Sequence, residues 1–500
     1  MTMESYFDRF RKQIIGYDLT HNILGQEQKI IYADWTASGR LYRPIEDYIS
    51  NYLGPYVANT HTEATLTGTT MTLAYADAHK VIKEHVNADQ NDVLIMDGSG
   101  MTGVVNKFQR ILGLRIPSRF KDSAFEDEND KPLVIVTHME HHSNQTSWLA
   151  CEVTLEVLHA DINGMPSLKH LEELLNQYKD RKMKIGAFSA CSNVTGIITN
   201  YHDMAKVMHK HQGLCFVDFA ASAPYINIDM HPENPDSKLD AIFFSPHKFL
   251  GGPGSSGALI FDKSLYHNEV PDNPGGGTVL WTNPWGEHKF FDNIEVREDG
   301  GTPGFLQCIK TALAIKLKEA MGIENIAQRE KELTKIIMDG LDKNDQVIML
   351  EPKQRERISV VSFYMHDIHH NLAVKLLNDR FGIQTRGGCS CAGTYGHILL
   401  GVSKEKSNII SDKISDGDLT DKPGWIRVSL HPTTTDEEAR LIVDAIDQIA
   451  KNHATWAKDY NFDPQTGEFR AANDNTQFIG LDEFDAVGNN VVNNVVKSTA

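Results

Sequence analysis

The chain has 500 residues, of which 49 are lysine or arginine and 67 are aspartate or glutamate, so its net charge is −18. This acidic excess disfavours a surface for nucleic acid or for an anionic membrane, although a local basic pocket stays possible. The charged N-terminus lacks the apolar core of a signal peptide, and no apolar run is long enough to cross a bilayer. The six cysteines include no CxxC pair and no zinc-like spacing, which predicts a reduced, cytoplasmic protein.

Short apolar strands alternate with loops and helices over roughly the first half of the chain, after an N-terminal helix and lead-in over about 5–30. The predicted strands are 93–97, 133–137, 152–158, 185–190, 214–220, 241–245 and 258–262. This alternation predicts a mainly parallel sheet that is covered on both faces. Such sheets bind ligands at the carboxyl ends of their strands, so we expect the chemistry in the residues just after each strand.

The pattern changes after Pro303. A long helical stretch over 304–342 precedes a smaller α+β region, which contains an apolar strand at 358–365 and a helix at 372–380. Two stretches are predicted to be looped insertions, 117–131 and 403–423. The residues beyond about 462 form a tail, which is either a disordered terminus or an arm that packs on a partner subunit.

A lysine follows the apolar run 241–244, in the sequence Ser245-Pro246-His247-Lys248 before a glycine-rich loop. Burial would lower the pKa of this amine and make it the nucleophile of a Schiff base. A lysine that extends from a tight turn into solvent is the alternative. This stretch by itself leaves both interpretations open.

A glycine-rich turn, 98–103, follows the first predicted strand and opens a helix. It matches the GxGxxG pattern, whose bare backbone N–H groups and helix dipole bind phosphate. A dinucleotide pyrophosphate, a single cofactor phosphate and a plain turn all fit it. A second match at 252–257 runs into a strand, which shows that the pattern alone is a weak signal.

Two more strand ends carry ionisable residues. The run His138-Met139-Glu140-His141-His142 could bind a metal, but no third cluster of ligands is evident, and a flat imidazole could equally stack on an aromatic ligand. Asp218 closes an apolar strand, where a carboxylate is usually a cap or a site residue. Pyridoxal phosphate needs such a carboxylate, because its ring accepts electrons only while the ring nitrogen stays protonated.

The loop 385–393 carries an arginine and two cysteines between glycines. The guanidinium of Arg386 suits a substrate carboxylate, and Arg427 on a later strand is a second candidate. A cysteine in a cationic loop can have a lowered pKa and act as a nucleophile, so Cys389 and Cys391 are candidates. Inert thiols on a surface loop are the alternative.

The motifs occur in an order that resembles the class V pyridoxal-phosphate enzymes of aminotransferase fold type I, and most closely the cysteine desulfurase and selenocysteine lyase branch. The resemblance runs from about Tyr32 to Ile449. The motifs that carry it are YADWTASG, GSGMTGVVN, MEHHSNQTSW, SNVTGIITN, FVDFAAS, FFSPHK, GGGTV, GGTPG, RGGCSCAG and IRVSL.

The resemblance implies a role for each matching residue. Lys248 would form the Schiff base with pyridoxal 5'-phosphate, Asp218 would pair with the ring nitrogen, and His141 would stack on the ring and move a proton. The cofactor phosphate would be bound by Gly100, Met101, Thr102, Ser245, His247 and, from the neighbouring subunit, Thr278. Substrate or cofactor contacts would come from Asn193, with Asn144 as a second candidate, and the substrate carboxylate would be held by Arg386 and Arg427. Cys391 would form the persulfide.

The chain departs from the family pattern at two places. Ala221 stands where the family usually has a glutamine that contacts the ring hydroxyl, and Ser222 could replace that contact. Cys389 and Ser390 precede the cysteine where histidines are common, and the resulting CxCxG is reminiscent of the molybdenum-cofactor sulfurases. The exact amino-acid substrate therefore stays open.

We expect an α/β protein of fold type I, with a large domain around a seven-stranded, mainly parallel sheet and a smaller C-terminal α+β domain. The predicted divisions are an N-terminal segment that packs on the small domain, the large domain, the small domain and a tail: 1–32, 33–304, 305–460 and 461–500. The predicted activity converts L-cysteine to L-alanine and leaves a persulfide on the enzyme, with a possible sulfur-acceptor protein as partner and no metal. The alternatives are another class V lyase, epimerase or aminotransferase and, outside the class, a nicotinamide-dependent oxidoreductase. We expect a homodimer.

Overall fold

The computed structural model describes residues 2–119 and 127–474, together with 476, 478, 480, 481 and 484. Part of the predicted insertion 117–131 and most of the predicted tail 461–500 lie outside these residues. Among the described residues, no helix has both the length and the hydrophobicity that crossing a bilayer requires.

The N-terminal segment differs from its prediction. Helix α1 (Met3–Arg11) is followed by a hairpin, which consists of strands β1 (Thr20–Ile23) and β2 (Gln26–Lys29), and by the short strand β3 (Ile31–Tyr32). The sequence predicted only a helix and a lead-in. The hairpin strands are polar and mostly exposed, so they lack the alternating apolar residues by which a strand is recognised.

The central sheet has the seven strands that the sequence predicted. They are β4 (Asp92–Asp97), β5 (Leu133–Thr137), β6 (Thr154–Leu158), β7 (Lys184–Ser189), β8 (Leu214–Asp218), β9 (Ala241–Phe244) and β10 (Gly257–Asp262). Their order in space is β4-β10-β9-β8-β7-β5-β6. Strand β10 is antiparallel to both of its neighbours and the remaining pairs are parallel. The predicted α/β fold with a mainly parallel sheet is therefore confirmed.

Both faces of this sheet are buried. In β5, Leu133 and Ile135 belong to one apolar core, whereas Val134 and Val136 belong to a second core on the opposite face. Successive side chains of a strand point to opposite faces, so a continuous apolar run is what two covered faces require. The other helices and strands in this part of the chain are α2 (Arg43–Asp47), α3 (Leu66–His85), α4 (Met101–Ile111), α5 (His142–Leu149), α6 (Leu168–Gln177), α7 (Tyr201–Lys210), the hairpin strands β11 (Val279–Thr282) and β12 (His288–Phe290), and α8 (Ile294–Glu298).

The predicted long helix over 304–342 is two helices, α9 (Phe305–Met321) and α10 (Ile323–Leu341), because the backbone of Gly322 between them is left-handed. The apolar side of α9 packs into a core of the central sheet, and that of α10 packs mainly into a separate core nearer the C-terminus. The elements that follow are β13 (Val347–Met349), β14 (Val360–Met365), α11 (His370–Phe381), β15 (Ile383–Gln384), β16 (Arg386–Gly388), α12 (Gly393–Leu399), α13 (Lys404–Ser415), β17 (Trp425–Ser429), α14 (Asp436–Trp456), β18 (Tyr460–Asp463) and β19 (Glu468–Ala471).

Two of these elements correct the sequence interpretation. The insertion 403–423, predicted as a loop, contains helix α13, whose first turn is capped by the Ser403 hydroxyl. The start of the predicted tail forms the antiparallel hairpin β18–β19. Both were missed because few of their side chains are buried, so their sequences carry little apolar periodicity.

A smaller antiparallel sheet, ordered β13-β14-β17-β16, lies in the C-terminal part of the chain. Strand β3 runs parallel to β15 beside it, with Ile31 opposite Ile383. Residues 33–36 then pass along β17, where Asp34 bridges to Ser429. The N-terminal segment therefore packs against the C-terminal part of the chain, whereas the exact domain boundaries stay a prediction.

We expect Gly196→Ala to destabilise the packing of the loop after β7 against the segment that leads into β14. Gly196 has a φ of +71°, and an added Cβ would lie 2.6 Å from the carbonyl oxygen of Ile358. Strain and overlap together should lower the free energy of unfolding by roughly 1–3 kcal/mol. The thermal midpoint of the variant should fall, whereas Gly276→Ala, where a Cβ would meet no atom within 4 Å, should leave it unchanged. Equal midpoints for both variants would contradict this packing.

Candidate active site

A cavity of about 570 Å³ lies at the carboxyl ends of the central strands. It is lined by residues that follow five of those strands and by residues from the C-terminal sheet. Twelve of the residues predicted for the site line it: Gly100, Met101, Thr102, His141, Asn193, Asp218, Ser245, His247, Lys248, Arg386, Cys391 and Arg427. Thr278 and the further candidates Asn144, Ser222 and Cys389 lie outside the lining.

One end of the cavity is built to bind an anion. The turn after β4 opens helix α4, so backbone N–H groups and the positive end of the helix dipole face the cavity. The Met101 N–H donates to the Ser245 hydroxyl at 2.8 Å, which joins this turn to the end of β9. Gly257 lets the turn pack closely, because a Cβ there would lie 2.3 Å from the carbonyl oxygen of Gly100.

Lys248 ends a short 3-10 turn after β9. Burial lowers the pKa of its amine from 10.5 to about 8, although the carboxylate of Asp218 acts in the opposite direction. A substantial fraction of this amine is therefore neutral near physiological pH, which a nucleophilic lysine requires. Lys248 lines the cavity and is half-buried, so the structure favours an amine enclosed at the strand ends over one that extends into solvent.

Asp218 ends β8 and His141 follows β5, with β7 between these two strands in the sheet. The Asp218 carboxylate accepts the Ala220 N–H at 2.8 Å, and burial raises its pKa to about 7. A cation beside this carboxylate would lower its pKa, as a protonated ring nitrogen would. Burial lowers the pKa of His141 to about 3, with the charge of Lys248 adding to the effect, so its imidazole is neutral.

A buried carboxylate that the sequence analysis did not assign supports these residues. Glu140 accepts five hydrogen bonds at 2.5–3.1 Å from the backbone and hydroxyl groups of Thr137 and Ser189 and from the Asn144 amide. Burial raises its pKa. Glu140 therefore ties the ends of β5 and β7 to the start of α5, next to His141.

Within the described part of the chain, the possible ligand atoms of the HMEHH run do not come together as a metal site would require. His138 is buried edge-on to Tyr395, His141 lines the cavity, and Glu140 is occupied by its five donors. Asn144 is also buried: its amide N–H groups bond to Glu140 and to the Ala187 carbonyl, and its oxygen accepts from Trp148. Asn144 therefore positions Glu140, and its predicted contact with substrate or cofactor is not favoured.

The two arginines meet at Asp34, which the sequence analysis also left unassigned. Arg427 Nη2 lies 2.8 Å from one carboxylate oxygen of Asp34, and Arg386 Nε lies 3.0 Å from the other. Arg427 is buried and also donates to the Asn193 carbonyl, whereas the side chain of Arg386 is half exposed. With Asp34 ionised, the three groups carry a net charge of +1, which suits one further carboxylate.

The cysteine loop places its two thiols differently. Cys391 is exposed and lines the cavity, whereas Cys389 is half-buried and packs against a small apolar core that contains Tyr395 and Trp425. This arrangement favours Cys391 as the thiol that meets a bound substrate.

Two other expected contacts are absent from this cavity. The Thr278 hydroxyl donates to the carbonyl of Gly275, so its contact with a phosphate in the neighbouring subunit stays a prediction. Ser222 is fully buried and lies outside the lining, so its replacement of the missing glutamine is not favoured and stays a prediction.

The lining fits pyridoxal phosphate. It combines a phosphate-binding turn, an amine, a flat neutral imidazole and a carboxylate around one space. Four buried polar atoms of the lining have no hydrogen-bond partner among the described residues, and they could be satisfied by a polar occupant: Thr36 Oγ1, Asn193 Oδ1, Ser390 Oγ and Arg427 Nε.

The profile of the class V aminotransferases matches residues 31–442, and the chain belongs to this family, whose enzymes in general depend on pyridoxal phosphate. A probable cysteine desulfurase of Halalkalibacterium halodurans is 28% identical over 382 residues, which cover 74% of this chain and 86% of that protein. One from Staphylococcus epidermidis is 28% identical over 370 residues, which cover 73% of this chain and 84% of that protein.

Solved structures share the fold. The apo cysteine desulfurase of Thermococcus onnurineus superposes with a TM-score of 0.71 at 22% identity, over 89% of this chain and 98% of that one. A cysteine desulfurase of Escherichia coli gives a TM-score of 0.68 at 20% identity, over the same shares of the two chains. The fold type I prediction is confirmed.

We expect Lys248 to be acylated in the cofactor-free protein with a midpoint near pH 8, because burial lowers its pKa to about 8. At about pH 7.5 roughly a quarter of such amines are neutral, against about 0.1% for an ordinary lysine. The rate is read by mass spectrometry of the Lys248 peptide across a pH series. Asp218→Asn should move the midpoint lower, because the carboxylate raises this pKa. A midpoint equal to that of the same peptide in the denatured chain would contradict the assignment.

Proposed function

We propose that the protein is a pyridoxal-phosphate-dependent cysteine desulfurase, which converts L-cysteine to L-alanine and retains the sulfur as a persulfide on Cys391. The observation that carries the proposal is the position of the Cys391 thiol in the same cavity as the Lys248 amine and the Arg386–Arg427 pair. Relatives named as probable cysteine desulfurases support it.

The cofactor would be bound by residues from several strand ends. Lys248 would hold it covalently, and Gly100, Met101 and Thr102 would bind its phosphate together with Ser245 and His247. Asp218 would keep the ring nitrogen protonated, and His141 would lie on the ring face. Pyridoxal phosphate supplies an electron sink for the electron pair that the α-carbon of the substrate releases.

The protein groups would carry out the remaining steps. Arg427 and Arg386 would bind the substrate carboxylate, and the neutral amine of Lys248 would take the α-proton. The Cys391 thiolate would then attack the substrate sulfur. A sulfur–sulfur bond forms as the bond between sulfur and the β-carbon breaks, and the β-carbon takes up a proton. Cysteine and the enzyme thiol thus give alanine and an enzyme persulfide, with all atoms balanced.

We expect Cys391→Ser to lower alanine formation from cysteine by about three orders of magnitude, because a serine hydroxyl is un-ionised near neutral pH and a poor nucleophile toward sulfur. Cofactor content and cysteine binding should stay unchanged. Cys389→Ser is the matched control and should keep alanine formation within about threefold of the wild-type rate, since Cys389 packs away from the cavity.

The rate of the Cys391→Ser variant also decides against the proposal if it is unchanged. If Cys391→Ser releases alanine at the wild-type rate, thiolate attack is wrong. The chain would then be a lyase, an epimerase or an aminotransferase of the same family that acts on another amino acid.

The proposed enzyme is a cytoplasmic homodimer that passes sulfur to an acceptor protein. The Gly275–Gly277 turn before Thr278 lies beside the loop that precedes α3, since a Cβ on Gly277 would be 3.7 Å from His61 Nε2. Large apolar side chains are exposed on α3, on β11 and on the segments next to them: Tyr52, Leu66, Leu73, Trp281 and Trp285. Clustered exposed apolar side chains mark interaction sites, and we infer that a second copy of the chain buries these five.

We expect the double variant Leu73→Asp/Trp281→Asp to be a monomer, because two charges would have to be buried in the interface. Light scattering should give a mass near the 56.0 kDa of one chain, against twice that mass for the wild type. Ile162→Asp changes an exposed isoleucine elsewhere and should leave the dimer intact. A wild-type protein with the mass of one chain would contradict the homodimer.

A further inference from the structure

The turn that carries Cys391 has an unusual backbone. The Ala392 N–H donates to the Cys389 carbonyl at 3.0 Å, so residues 389–392 form a β-turn. Its two central residues, Ser390 and Cys391, have φ angles of +49° and +56°. Two positive φ angles define a type I′ turn, which favours asparagine and glycine at these positions.

Neither central residue is of the favoured type, so the turn is strained. Non-glycine residues in left-handed conformations cost of order 1 kcal/mol each and persist where surrounding contacts impose them. Contacts of this kind are present. The Asn193 amide donates to the Ser390 carbonyl at 2.7 Å, and the Thr394 hydroxyl donates to the Gln145 side chain at 2.8 Å.

His142 makes two further contacts with the turn. Its backbone N–H donates to the Cys391 carbonyl at 2.7 Å, and its ring nitrogen Nε2 accepts the N–H of Gly393 at 2.9 Å. His142 thus binds the carbonyl of the cysteine and the second residue after it. The imidazole itself lies outside the cavity lining and close enough to Lys422 to be affected by its charge.

The hydrogen bond from Gly393 requires a neutral His142 imidazole, and the surroundings of the ring favour that form. Burial lowers the pKa of His142, and the charge of Lys422 lowers it further. A neutral imidazole has one ring nitrogen without a proton, and only that nitrogen can accept an N–H. Because Nε2 accepts from Gly393, the proton is on Nδ1.

We propose that His142 is a positioning residue for Cys391: its imidazole holds the strained turn closed, so that the thiol stays in the cavity where the substrate sulfur arrives. The kinetic consequence, slower sulfur transfer, rests on the proposed function. The structural consequence, a closed turn, does not depend on it. A displacement of about 1 Å at a reacting group can lower a rate by up to about a hundredfold. Release of the turn would therefore affect the sulfur-transfer step and leave the binding of the amino acid intact.

The test compares three substitutions at one position in the holoenzyme. His142→Ala removes the acceptor, His142→Gln can replace Nε2 with its amide oxygen, and His142→Asn is the matched control whose side chain is too short. We expect kcat for alanine formation to fall about tenfold or more in the Ala and Asn variants and to recover to within about threefold in the Gln variant. Binding of L-alanine, which lacks a thiol, should stay within about twofold throughout.

Hydrogen–deuterium exchange of the peptide 389–394 gives a second readout that does not depend on the substrate. Exchange should be faster in the Ala and Asn variants, because the Gly393 N–H has lost its acceptor, and near the wild-type rate in the Gln variant. If this pattern appears while no variant and no wild-type protein forms alanine from cysteine, the proposed function fails and the positioning role stands.

Three results would overturn the proposal. One is unchanged exchange in the Ala and Asn variants. Another is a Gln variant whose kcat and exchange rate equal those of the Asn variant. This comparison also decides the question if the Ala variant does not fold. The third is a parallel loss of L-alanine binding and of kcat, which would make His142 a general structural residue of the site.

Discussion

The amine of Lys248, enclosed at the strand ends, is the constraint on which the rest of the cavity depends. An ammonium ion loses its hydration on burial, and the carboxylate of Asp218 offsets only part of that loss, so the pKa of the amine falls to about 8 and part of it is neutral near physiological pH. The same burial keeps His141 neutral and raises the pKa of Asp218. One physical cause, enclosure at the strand ends, thus shifts the pKa values of the three groups that line the cavity.

The cavity needs both parts of the chain. Lys248, Asp218 and His141 follow strands of the central sheet, whereas Arg386, Cys391 and Arg427 come from the C-terminal sheet and its loop. Asn193 connects the two, because its carbonyl accepts from Arg427 and its amide donates to Ser390. The distance between the Cys391 thiol and the Lys248 amine therefore depends on hydrogen bonds between the central sheet and the C-terminal sheet, and on the packing of the apolar core of each sheet.

The sequence predicted the central strands and the residues that follow them, because buried parallel strands are continuous apolar runs and polar residues stand out at their ends. It did not predict Asp34, whose partners Arg386 and Arg427 are 352 and 393 residues away in the chain. Glu140 was noticed only as a candidate metal ligand, since its donors on β7 cannot be read from its own motif. The polar hairpin of the N-terminal segment and helix α13 lack the apolar spacing that a pattern can detect. Local patterns reveal the strand ends, whereas pairings between distant residues require the folded chain.

The central claim is that the sulfur of cysteine passes to the thiol of Cys391 beside a cofactor held by Lys248. Its most direct measurement is a reaction of the holoenzyme with one equivalent of isotopically labelled cysteine, followed by alkylation and peptide mapping by mass spectrometry. The account predicts one labelled sulfur on the peptide that contains Cys391, assigned by fragmentation to Cys391 itself, with an equal amount of alanine. Labelled sulfur on Cys389, or alanine with no sulfur on either thiol, would contradict it.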